Sequence, residues 1–257
     1  MNYEQFKKHI YRLTHIDLNS YKERQMKRRI DVLTQKNKFI GYDDYVHALK
    51  NDKELYEEFV GFITINVSEF YRNPEQWRIL EEDILPDILK NGNGMINVWS
   101  AACSTGDEPY SLAMLLLDYL PKDNIRILAT DIDRKVLSKA EEGIYNFKSM
   151  SNLPVKYINQ YFIKIDEKRY KIKDSIKECV RFQQHDLLED SYPMNFDLII
   201  CRNVVIYFTD EAKTKIYKKF NDSMNSNGIL FVGCTEQIVD YKELNYDSLK
   251  SFFYKKN

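Results

Sequence analysis

The sequence predicts an α/β fold, a mostly parallel, doubly wound sheet preceded by a small domain made only of helices. Two observations support this prediction. Residues 1–73 contain no proline, and their apolar residues recur at helical spacing. From residue 95 onward, short apolar runs typical of strands alternate with helical segments, and this alternation favours a parallel sheet covered by helices.

The helical domain is predicted from apolar stripes that repeat every three or four residues. The positions in these stripes are Phe6, Ile10, Leu13, Met26, Ile30, Leu33, Tyr45, Leu49, Phe59 and Ile63. Residues 41–44 are typical of a turn followed by a helix cap, and the Asn73-Pro74 pair ends the pattern. We therefore expect a helical domain over residues 1–73, then a linking helix and loop over residues 74–94.

Residues 95–257 form the second predicted domain. Strands are expected at residues 96–100, 125–130, 180–183, 196–201 and 229–232, with helices at residues 110–119, 134–142 and 211–224. The run 196–201 is almost continuously apolar, as in a strand buried on both faces. Residues 155–183 contain short alternating pieces instead, so we expect a small antiparallel β insertion there.

Composition excludes several classes of protein. The 257 residues include 38 basic and 39 acidic side chains, and this balance argues against bulk binding of nucleic acid. The four cysteines form no C-x-x-C pair, which indicates reduced thiols in a cytosolic protein. No run approaches the length of a membrane span, and the N-terminus lacks the apolar core of a signal peptide. We expect a cytoplasmic protein that does not insert into a membrane.

The most informative motif is the stretch 98–111, a strand, a turn of small residues and a helix that begins with acids and a proline. Small residues let a ligand approach the main-chain N–H groups closely. The turn has the single glycine Gly106 and no following lysine, unlike a pyrophosphate cradle or a P-loop. The motif therefore favours a nucleoside ligand without phosphates, and points toward S-adenosylmethionine.

Acidic residues follow the second predicted strand. In open α/β sheets, ligands bind beyond the carboxyl ends of the strands, and an acid at this place commonly accepts the ribose hydroxyls. We assign that role to Asp131, and the alternative is a cap for the next helix. Asp133, directly before Arg134, suits the capping role better.

Two more strand ends contain polar residues. Asp186 could accept a hydrogen bond from the exocyclic amine of an adenine while Leu187 covers the ring, although an acid here is also typical of an ordinary turn. Arg202 and Asn203 follow the buried strand, at the rim where loops line the cleft. Tyr207 either belongs to that cleft or packs against the next helix.

The helical domain adds two candidate regions. Asn66, Ser68 and Arg72 lie just before the predicted domain boundary, and ligand clefts favour such boundaries. The alternative is a helix end with ordinary polar caps. The second region is a basic helix face.

On the basic helix, Arg24, Lys27 and Arg28 share one face, and Lys22 and Arg29 flank it. Five cations beside a single glutamate exceed what a solvated face needs, but a solvated face remains the alternative.

Together these segments resemble the chemotaxis-receptor glutamate methyltransferases, the CheR family, along nearly the whole chain. The matching segments are residues 66–72, 99–111, 129–133 and 201–208. The resemblance implies a Rossmann-like class I methyltransferase sheet with the helical domain packed over it. It also implies that S-adenosylmethionine binds between the two domains and leaves as S-adenosylhomocysteine, without a metal.

The resemblance also implies roles for individual residues. Those implied to contact the cofactor are Asn66, Ser68, Arg72, Ala102, Asp107, Asp131, Asp186, Leu187, Asn203 and Val204. Asp107 would bind the methionine portion, and Arg72 and Tyr207 would line the methyl-transfer site. Three positions depart from the family pattern: Ser68 replaces the common Thr, Asp107 the common Glu and Asp186 the common Asn.

The same resemblance implies the partner. The methylated receptor helices are rich in Glu and Gln, so the basic residues Arg24, Lys27, Arg28 and Arg29 would dock them. Family members that bind a C-terminal receptor peptide share a longer, glycine-containing loop in the β insertion. Residues 162–170 are short here and lack glycine, so we expect no such peptide tether.

Two other functions stay open on the sequence. The same fold serves methyltransferases for RNA or small molecules, but the [DN]-P-P-[YF] motif of amino-group methyltransferases is replaced here by residues 201–204. A non-catalytic S-adenosylmethionine sensor is the other alternative, and the presence of Arg72 and Tyr207 argues against it.

Overall fold

A computed structural model describes residues 1–92 and 94–257. The helices are α1 (Tyr3–Thr14), α2 (Glu23–Lys36), α3 (Tyr42–Asn51), α4 (Lys53–Thr64), α5 (Pro74–Ile79), α6 (Leu85–Asn91), α7 (Asp107–Leu116), α8 (Arg134–Glu142), α9 (Val155–Tyr161), α10 (Asp174–Lys177) and α11 (Asp210–Ser223). The strands are β1 (Ile96–Ala101), β2 (Ile125–Asp131), β3 (Ile144–Asn146), β4 (Phe162–Lys164), β5 (Arg169–Ile172), β6 (Val180–Gln184), β7 (Phe196–Cys201), β8 (Met224–Val232), β9 (Tyr246–Lys250) and β10 (Phe253–Lys256).

Helices α1–α4 form the expected helical domain. Asn2 and Gln5 close a capping box at the start of α1, and Asp52 accepts a hydrogen bond from the main-chain N–H of Leu55 at the start of α4. The predicted apolar stripes are buried in the domain core, with Leu13 partly buried at its edge. This core is continuous with one side of the sheet, because it also includes Trp99.

The main sheet has seven strands in the order β6-β2-β1-β7-β8-β10-β9. The first five pair in parallel and the last two pair antiparallel, so the predicted mostly parallel sheet is confirmed. The chain leaves β1 for β2 and β6 on one side, then returns to β7 and β8 on the other. This reversal beside β1 is the switch point where open α/β sheets bind their ligands.

The small antiparallel sheet differs from the predicted insertion at both ends. It consists of β3, β5 and β4, so it begins before residue 155. Strand β6, whose first residues lay within the predicted range 155–183, pairs in parallel with β2 in the main sheet. The alternating pattern identified strands in this region, but strand pairing depends on contacts between distant residues, which the pattern does not encode.

Two connections also differ from the sequence prediction. Residues 225–228, which separate the predicted helix 211–224 from the predicted strand 229–232, belong to β8, which pairs with β7 from Met224 through an irregular register. The linking helix is interrupted by a π turn at Leu80–Ile84, between α5 and α6. Pro86 lies two residues after this turn, at the start of α6, and because proline has no N–H to donate, it disturbs the regular hydrogen-bond ladder before it.

Main-chain hydrogen bonds join the helical domain to the sheet domain. The N–H of Lys22 donates to the carbonyl of Tyr207 at 2.9 Å, and the N–H of Thr209 donates to the carbonyl of Ser20 at 2.9 Å. Tyr21 and Phe208 form an isolated antiparallel bridge between them. The segment before α2 therefore lies on the loop that follows β7.

Candidate functional site

A cavity of about 50 Å³ lies at the carboxyl ends of β1, β2, β6 and β7, next to the switch point. Its lining residues come from both domains, and they are Tyr21, Ile63, Thr64, Ala102, Asp131, Ile132, His185, Asp186, Leu187, Val204, Tyr207 and Phe208. The structure thus brings together six of the site residues predicted from the sequence. These six are Ala102, Asp131, Asp186, Leu187, Val204 and Tyr207.

The turn after β1 folds back onto the end of β2. Ala102, Ser104 and Gly106 have φ of 61°, 50° and 85°, a left-handed conformation that larger side chains rarely adopt. A Cβ on Gly106 would lie 2.8 Å from the Cβ of Ala140, so the single glycine is required by packing as well. The main-chain N–H of Ser104 donates to Asp131 Oδ2 at 2.8 Å, which fixes the turn beside the cavity.

Asp131 is buried, with 6% of its surface exposed, and both carboxylate oxygens accept main-chain hydrogen bonds. Oδ2 accepts from Ser104, and Oδ1 accepts from the N–H of Asp133 at 3.0 Å. Burial raises the pKa of Asp131 to about 6, against the partial relief that these hydrogen bonds provide. Each oxygen retains a second lone pair, so this carboxylate can accept the hydroxyls of a ribose.

Asp133 has the predicted capping role. Its Oδ1 accepts the N–H of Lys135 at 2.8 Å and begins α8. Its Oδ2 accepts the side-chain amide of Asn66 at 2.8 Å, so the same residue ties the helical domain to the sheet.

Asp186 and Leu187 line the opposite part of the cavity. Oδ1 of Asp186 accepts the N–H of Leu188 at 2.8 Å, and burial raises the pKa of this carboxyl. Nδ1 of the neighbouring buried His185 finds no hydrogen-bond partner among residues 1–92 and 94–257. Carboxylate acceptors beside the apolar side chains of Leu187 and Val204 fit a nucleoside, which offers hydroxyl and amine donors around a flat apolar ring.

A second cluster, outside the cavity lining, contains Ser68, Arg72 and Asp107, whereas the side chain of Asn66, also outside the lining, bonds to Asp133. Asp107 is 1% exposed and accepts the hydroxyl of Thr105 at 2.6 Å. Burial raises its pKa, and hydrogen bonds from Thr105 and Ser68 oppose this effect. Nη1 of Arg72 donates to the carbonyl of Val67 at 3.1 Å. The fifth predicted cofactor residue outside the lining, Asn203, lies in the loop after β7 with φ of 61°.

Arg202 connects this second cluster to the sheet. Its side chain is 2% exposed, and its Nη1 lies 3.4 Å from Glu108 Oε2. Its Nη2 donates to the main-chain carbonyl of Arg72 at 2.7 Å and to Asn73 Oδ1 at 3.0 Å. Ser100 donates to the other oxygen of Glu108 at 2.8 Å. The backbone that presents Arg72 is therefore held from the ends of β1 and β7.

Sequence reasoning missed Glu236. This buried residue follows β8, and its carboxylate accepts main-chain N–H groups of Asn203, Ile206 and Gly233. The carboxyl end of β8 meets the other parallel strand ends at one edge of the sheet, so inspecting every strand end would have found it.

Part of the predicted basic helix α2 borders a groove in the structure. A groove of about 400 Å³ is lined by Lys22, Gln25, Met26, Arg28, Arg29, Val32, Phe62 and Tyr207. Arg24 and Lys27 lie outside this groove, and Nζ of Lys27 lies 5.6 Å from the ring centre of Tyr3 in α1. Arg24, Lys27 and Arg28 are all exposed on α2, as expected for one helix face, but of these three only Arg28 borders the groove.

Arg29 is partly withdrawn from the solvent. Its Nη2 donates to the carbonyl of Phe62 at 2.5 Å, and its guanidinium lies 4.6 Å from the Phe62 ring centre. Burial lowers its pKa. Arg29 therefore joins α2 to α4 as well as lining the groove, whereas Arg28 is exposed.

Tyr207 lines both the cavity and the groove. The two spaces thus meet at one side chain, which lies in the loop bonded to Lys22. A nucleoside in the cavity and a macromolecule on the groove would have neighbouring contact surfaces there.

Other kinds of site receive no support from the described part of the chain. No group of three or more His, Cys, Asp or Glu residues within 1–92 and 94–257 is arranged to hold a metal ion. Across those same ranges, every helix is too short or too polar to span a bilayer.

Comparison with known proteins agrees with this geometry. Residues 1–64 match the family model of the CheR methyltransferase all-alpha domain, and residues 66–251 match the CheR methyltransferase S-adenosylmethionine-binding domain. The two matches meet next to the end of α4.

Several relatives are named chemotaxis protein methyltransferase, among them the following three. The proteins from Listeria innocua and Listeria monocytogenes are each 43% identical over 239 residues, covering 93% of this chain and 91% of the relative. The protein from Borreliella burgdorferi is 33% identical over 264 residues, covering 96% of this chain and 91% of the relative.

Proposed function

Because this chain belongs to the CheR methyltransferase family, we propose that it transfers the methyl group of S-adenosylmethionine to glutamate side-chain carboxylates of chemoreceptor helices. The chain is an S-adenosylmethionine-dependent methyltransferase of chemotaxis, as the family and the names of its relatives agree. The glutamate acceptor is the proposed part, and its receptor helices would place the enzyme in the cytoplasm.

The observation that supports this proposal best is the position of Tyr207. It lines the cavity that contains Asp131 and also the groove that contains Arg28. An acidic receptor helix on this groove would bring a glutamate toward the cavity, where the methyl donor binds. The groove's positive charge also matches a helix rich in Glu and would steer the encounter.

Methyl transfer to a carboxylate requires the chain mainly to position the two reactants. A glutamate carboxylate is already ionised at neutral pH, so no general base is needed. S-adenosylmethionine supplies a methyl group that its positive sulfur has already activated. The chain's residues must align the carboxylate oxygen with that methyl group and exclude water from the cleft.

We assign the residues accordingly. Asp131 and Asp186 hold the ribose and adenine, with Ala102, Leu187 and Val204 packed around them. Four further residues would contact the methionine portion of the cofactor and line the walls of the site: Asp107, Asn66, Ser68 and Asn203.

Arg72 suits the orientation of the incoming carboxylate, because its planar fork matches two oxygens. A very strong ion pair would stabilise the carboxylate before transfer and slow the reaction. Orientation is therefore the role we propose for Arg72, and Tyr207 would line the methyl-transfer site together with it.

The test uses S-adenosylmethionine labelled in the methyl group, the full chain and a chemoreceptor cytoplasmic fragment. We expect label on the receptor that mild base releases as methanol, because carboxyl methyl esters hydrolyse readily. A receptor fragment with its candidate glutamates changed to glutamine is the matched control, and it should lose the label. Label that resists base would indicate methylation of nitrogen or carbon, and absence of label would support a sensor; both results contradict the proposal.

We further propose that the enzyme works without a receptor peptide tether. Strands β4 and β5 of the small sheet are joined by residues 165–168, a tight connection in which Asp166 accepts main-chain N–H bonds from Lys168 and Arg169. Calorimetric titration with a receptor C-terminal peptide should show no binding at micromolar concentration. Micromolar affinity would overturn this part of the proposal.

A further inference from the structure

Glu236 is a buried acid that, like Asp131, lies among main-chain hydrogen-bond donors. It is 4% exposed, and the ion pairs of residues 1–92 and 94–257 do not include it. A buried carboxylate of this kind needs compensation from hydrogen bonds. Here the compensation comes from the main chain.

Three hydrogen bonds surround the Glu236 carboxylate. Oε2 accepts the N–H of Asn203 at 2.5 Å and the N–H of Gly233 at 2.8 Å, and Oε1 accepts the N–H of Ile206 at 3.3 Å. Hydrogen bonds between main-chain N–H groups and a charged acceptor are stronger than neutral ones. Both oxygens of one side chain thus hold the loop that follows β7.

Gly233 shows that this arrangement leaves no spare space. A Cβ at Gly233 would lie 2.3 Å from Glu236 Oε2 and 2.9 Å from the main-chain nitrogen of Asn203. Any side chain there would displace the carboxylate or the loop. The absence of a side chain at Gly233 thus leaves the space that the Glu236 carboxylate occupies.

The loop held by Glu236 is the one on which the proposed reaction depends. It includes Val204, which lines the cavity, and Tyr207, which lines both cavity and groove. On its other side, the carbonyl of Tyr207 accepts the N–H of Lys22 at 2.9 Å, next to the start of the basic helix α2. The loop is therefore held on one side by Lys22 of the helical domain and on the other side by Glu236 of the sheet domain.

We propose that Glu236 is a positioning residue for methyl transfer: its carboxylate fixes the backbone of the loop 203–207 so that Val204 and Tyr207 keep their places at the meeting of cavity and groove. This inference rests on the proposed function. Glu236 itself touches main-chain groups, so it acts through the loop.

The amide variant Glu236→Gln separates this role from a general packing role. Glutamine keeps the volume and one acceptor oxygen, but its NH₂ group would face an N–H donor. The oxygen can stay on Asn203 and Gly233, so the Ile206 side of the loop, which leads to Tyr207, would be released. We expect turnover to fall about tenfold, as the loss of one charged hydrogen bond predicts. The affinity for S-adenosylhomocysteine should change by about threefold or less.

Amide hydrogen exchange measures the loop directly. In Glu236→Gln, exchange at residues 203–207 should accelerate, while exchange in the strands β1 and β2 stays unchanged. Glu243→Gln removes an exposed carboxylate from the same C-terminal region and should alter neither readout. Glu236→Asp retains the charge and should recover more of the turnover than Glu236→Gln.

Several results would overturn the proposal. Normal turnover with unchanged loop exchange in Glu236→Gln is one, and a uniform rise in exchange over the whole chain is another. If Glu236→Gln does not fold, Glu236→Asp takes its place with the same readouts, and normal loop exchange there would contradict the proposal. Failure of the proposed function would give a different result, because the wild-type enzyme would then leave no base-labile label on the receptor. In that case, loop exchange and S-adenosylhomocysteine binding would still test whether Glu236 positions the loop.

Discussion

The cavity and the basic groove meet at Tyr207 but are built in opposite ways. The cavity is lined by two acids, Asp131 and Asp186, and the buried Asp131 is held by main-chain hydrogen bonds from Ser104 and Asp133. The groove is open and cationic, and the exposed Arg28 projects from α2 beside it. In our proposal, the cavity recognises the cofactor through short-range hydrogen bonds, and the groove recognises the receptor through charge.

This difference sets the scale of the expected mutational effects. Buried hydrogen bonds to charged groups have no water to replace them, so losing one costs about 1.5–3 kcal/mol. Exposed charges are screened by water and salt, so each contributes about 1 kcal/mol or less. The following predictions test the comparison from the largest effect to the smallest.

Asp131→Ala should produce the largest loss. We expect the cofactor affinity to fall by about 1.5–3 kcal/mol for each charged hydrogen bond lost, measured by calorimetry with S-adenosylhomocysteine. The substitution also leaves the N–H of Ser104 without its acceptor, which loosens the turn. Asp123→Ala, an exposed acid before β2, is the control and should bind normally. Unchanged affinity in Asp131→Ala would remove this residue from the site.

Arg72→Ala should separate turnover from cofactor binding. Arg72 orients the acceptor in our proposal, so turnover should fall about tenfold or more while the cofactor affinity changes little. The measurements are steady-state methylation of a receptor fragment and calorimetry on the same preparations. Arg78→Ala removes an exposed arginine that pairs with Glu75 and Glu82 and serves as the control. A loss confined to cofactor affinity would place Arg72 on the donor side.

The pH dependence of cofactor binding should follow the ionisation of the Asp131 carboxyl. Its pKa is raised to about 6 by burial, and the ionised carboxylate is the form that accepts ribose hydroxyls. Affinity for S-adenosylhomocysteine should therefore rise from about pH 5 to about pH 7 and then level off. Asp131→Asn should remove most of this rise. A wild-type profile that is flat across the interval would contradict the assignment.

The same raised pKa has a predictable effect on stability without ligand. Between the unfolded pKa and the folded pKa, the native state binds more protons at Asp131 than the unfolded state does. The contribution of Asp131 to the free energy of unfolding therefore falls as pH rises from about 4 to about 6, and is constant above that. Urea titrations of wild type and Asp131→Asn across this interval provide the comparison.

Arg28→Ala should have the smallest effect, and Lys27→Ala is its matched control on the same helix. Arg28 lines the groove and Lys27 lies toward Tyr3, so only Arg28→Ala should raise the KM for receptor, by about threefold. The difference should shrink as salt increases. Equal effects of the two substitutions would mean that the receptor uses the helix's general charge and not the groove.

Much of the fold could be predicted from local patterns. Helical spacing identified the core of the first domain, and the apolar run at β7 identified a strand buried in the sheet. The capping role of Asp133 was also predictable, because a cap bonds to its own helix within two residues. Such features depend on neighbours in sequence.

The candidate site was predictable only in part. Strand ends and motifs indicated Ala102, Asp131, Asp186, Leu187 and Val204, and all five line one cavity. Glu236 was missed because its partners, at Asn203 and Ile206, lie about thirty residues away along the chain and meet it only through the pairing of β7 with β8. The predicted bounds of the small sheet were wrong for the same reason, because strand pairing joins residues that are distant in the sequence.

By itself, the sequence determined a helical domain, an α/β sheet and a set of candidate nucleoside-binding residues, because spacing and residue type act locally. Only the tertiary structure decided that Arg28 lines the groove while Lys27 packs toward Tyr3, and that Tyr207 joins groove to cavity. These facts depend on how α2 lies between its neighbours and on the main-chain bond from Lys22 to the loop after β7. Helical periodicity shows which residues share a face, but packing alone determines what that face meets.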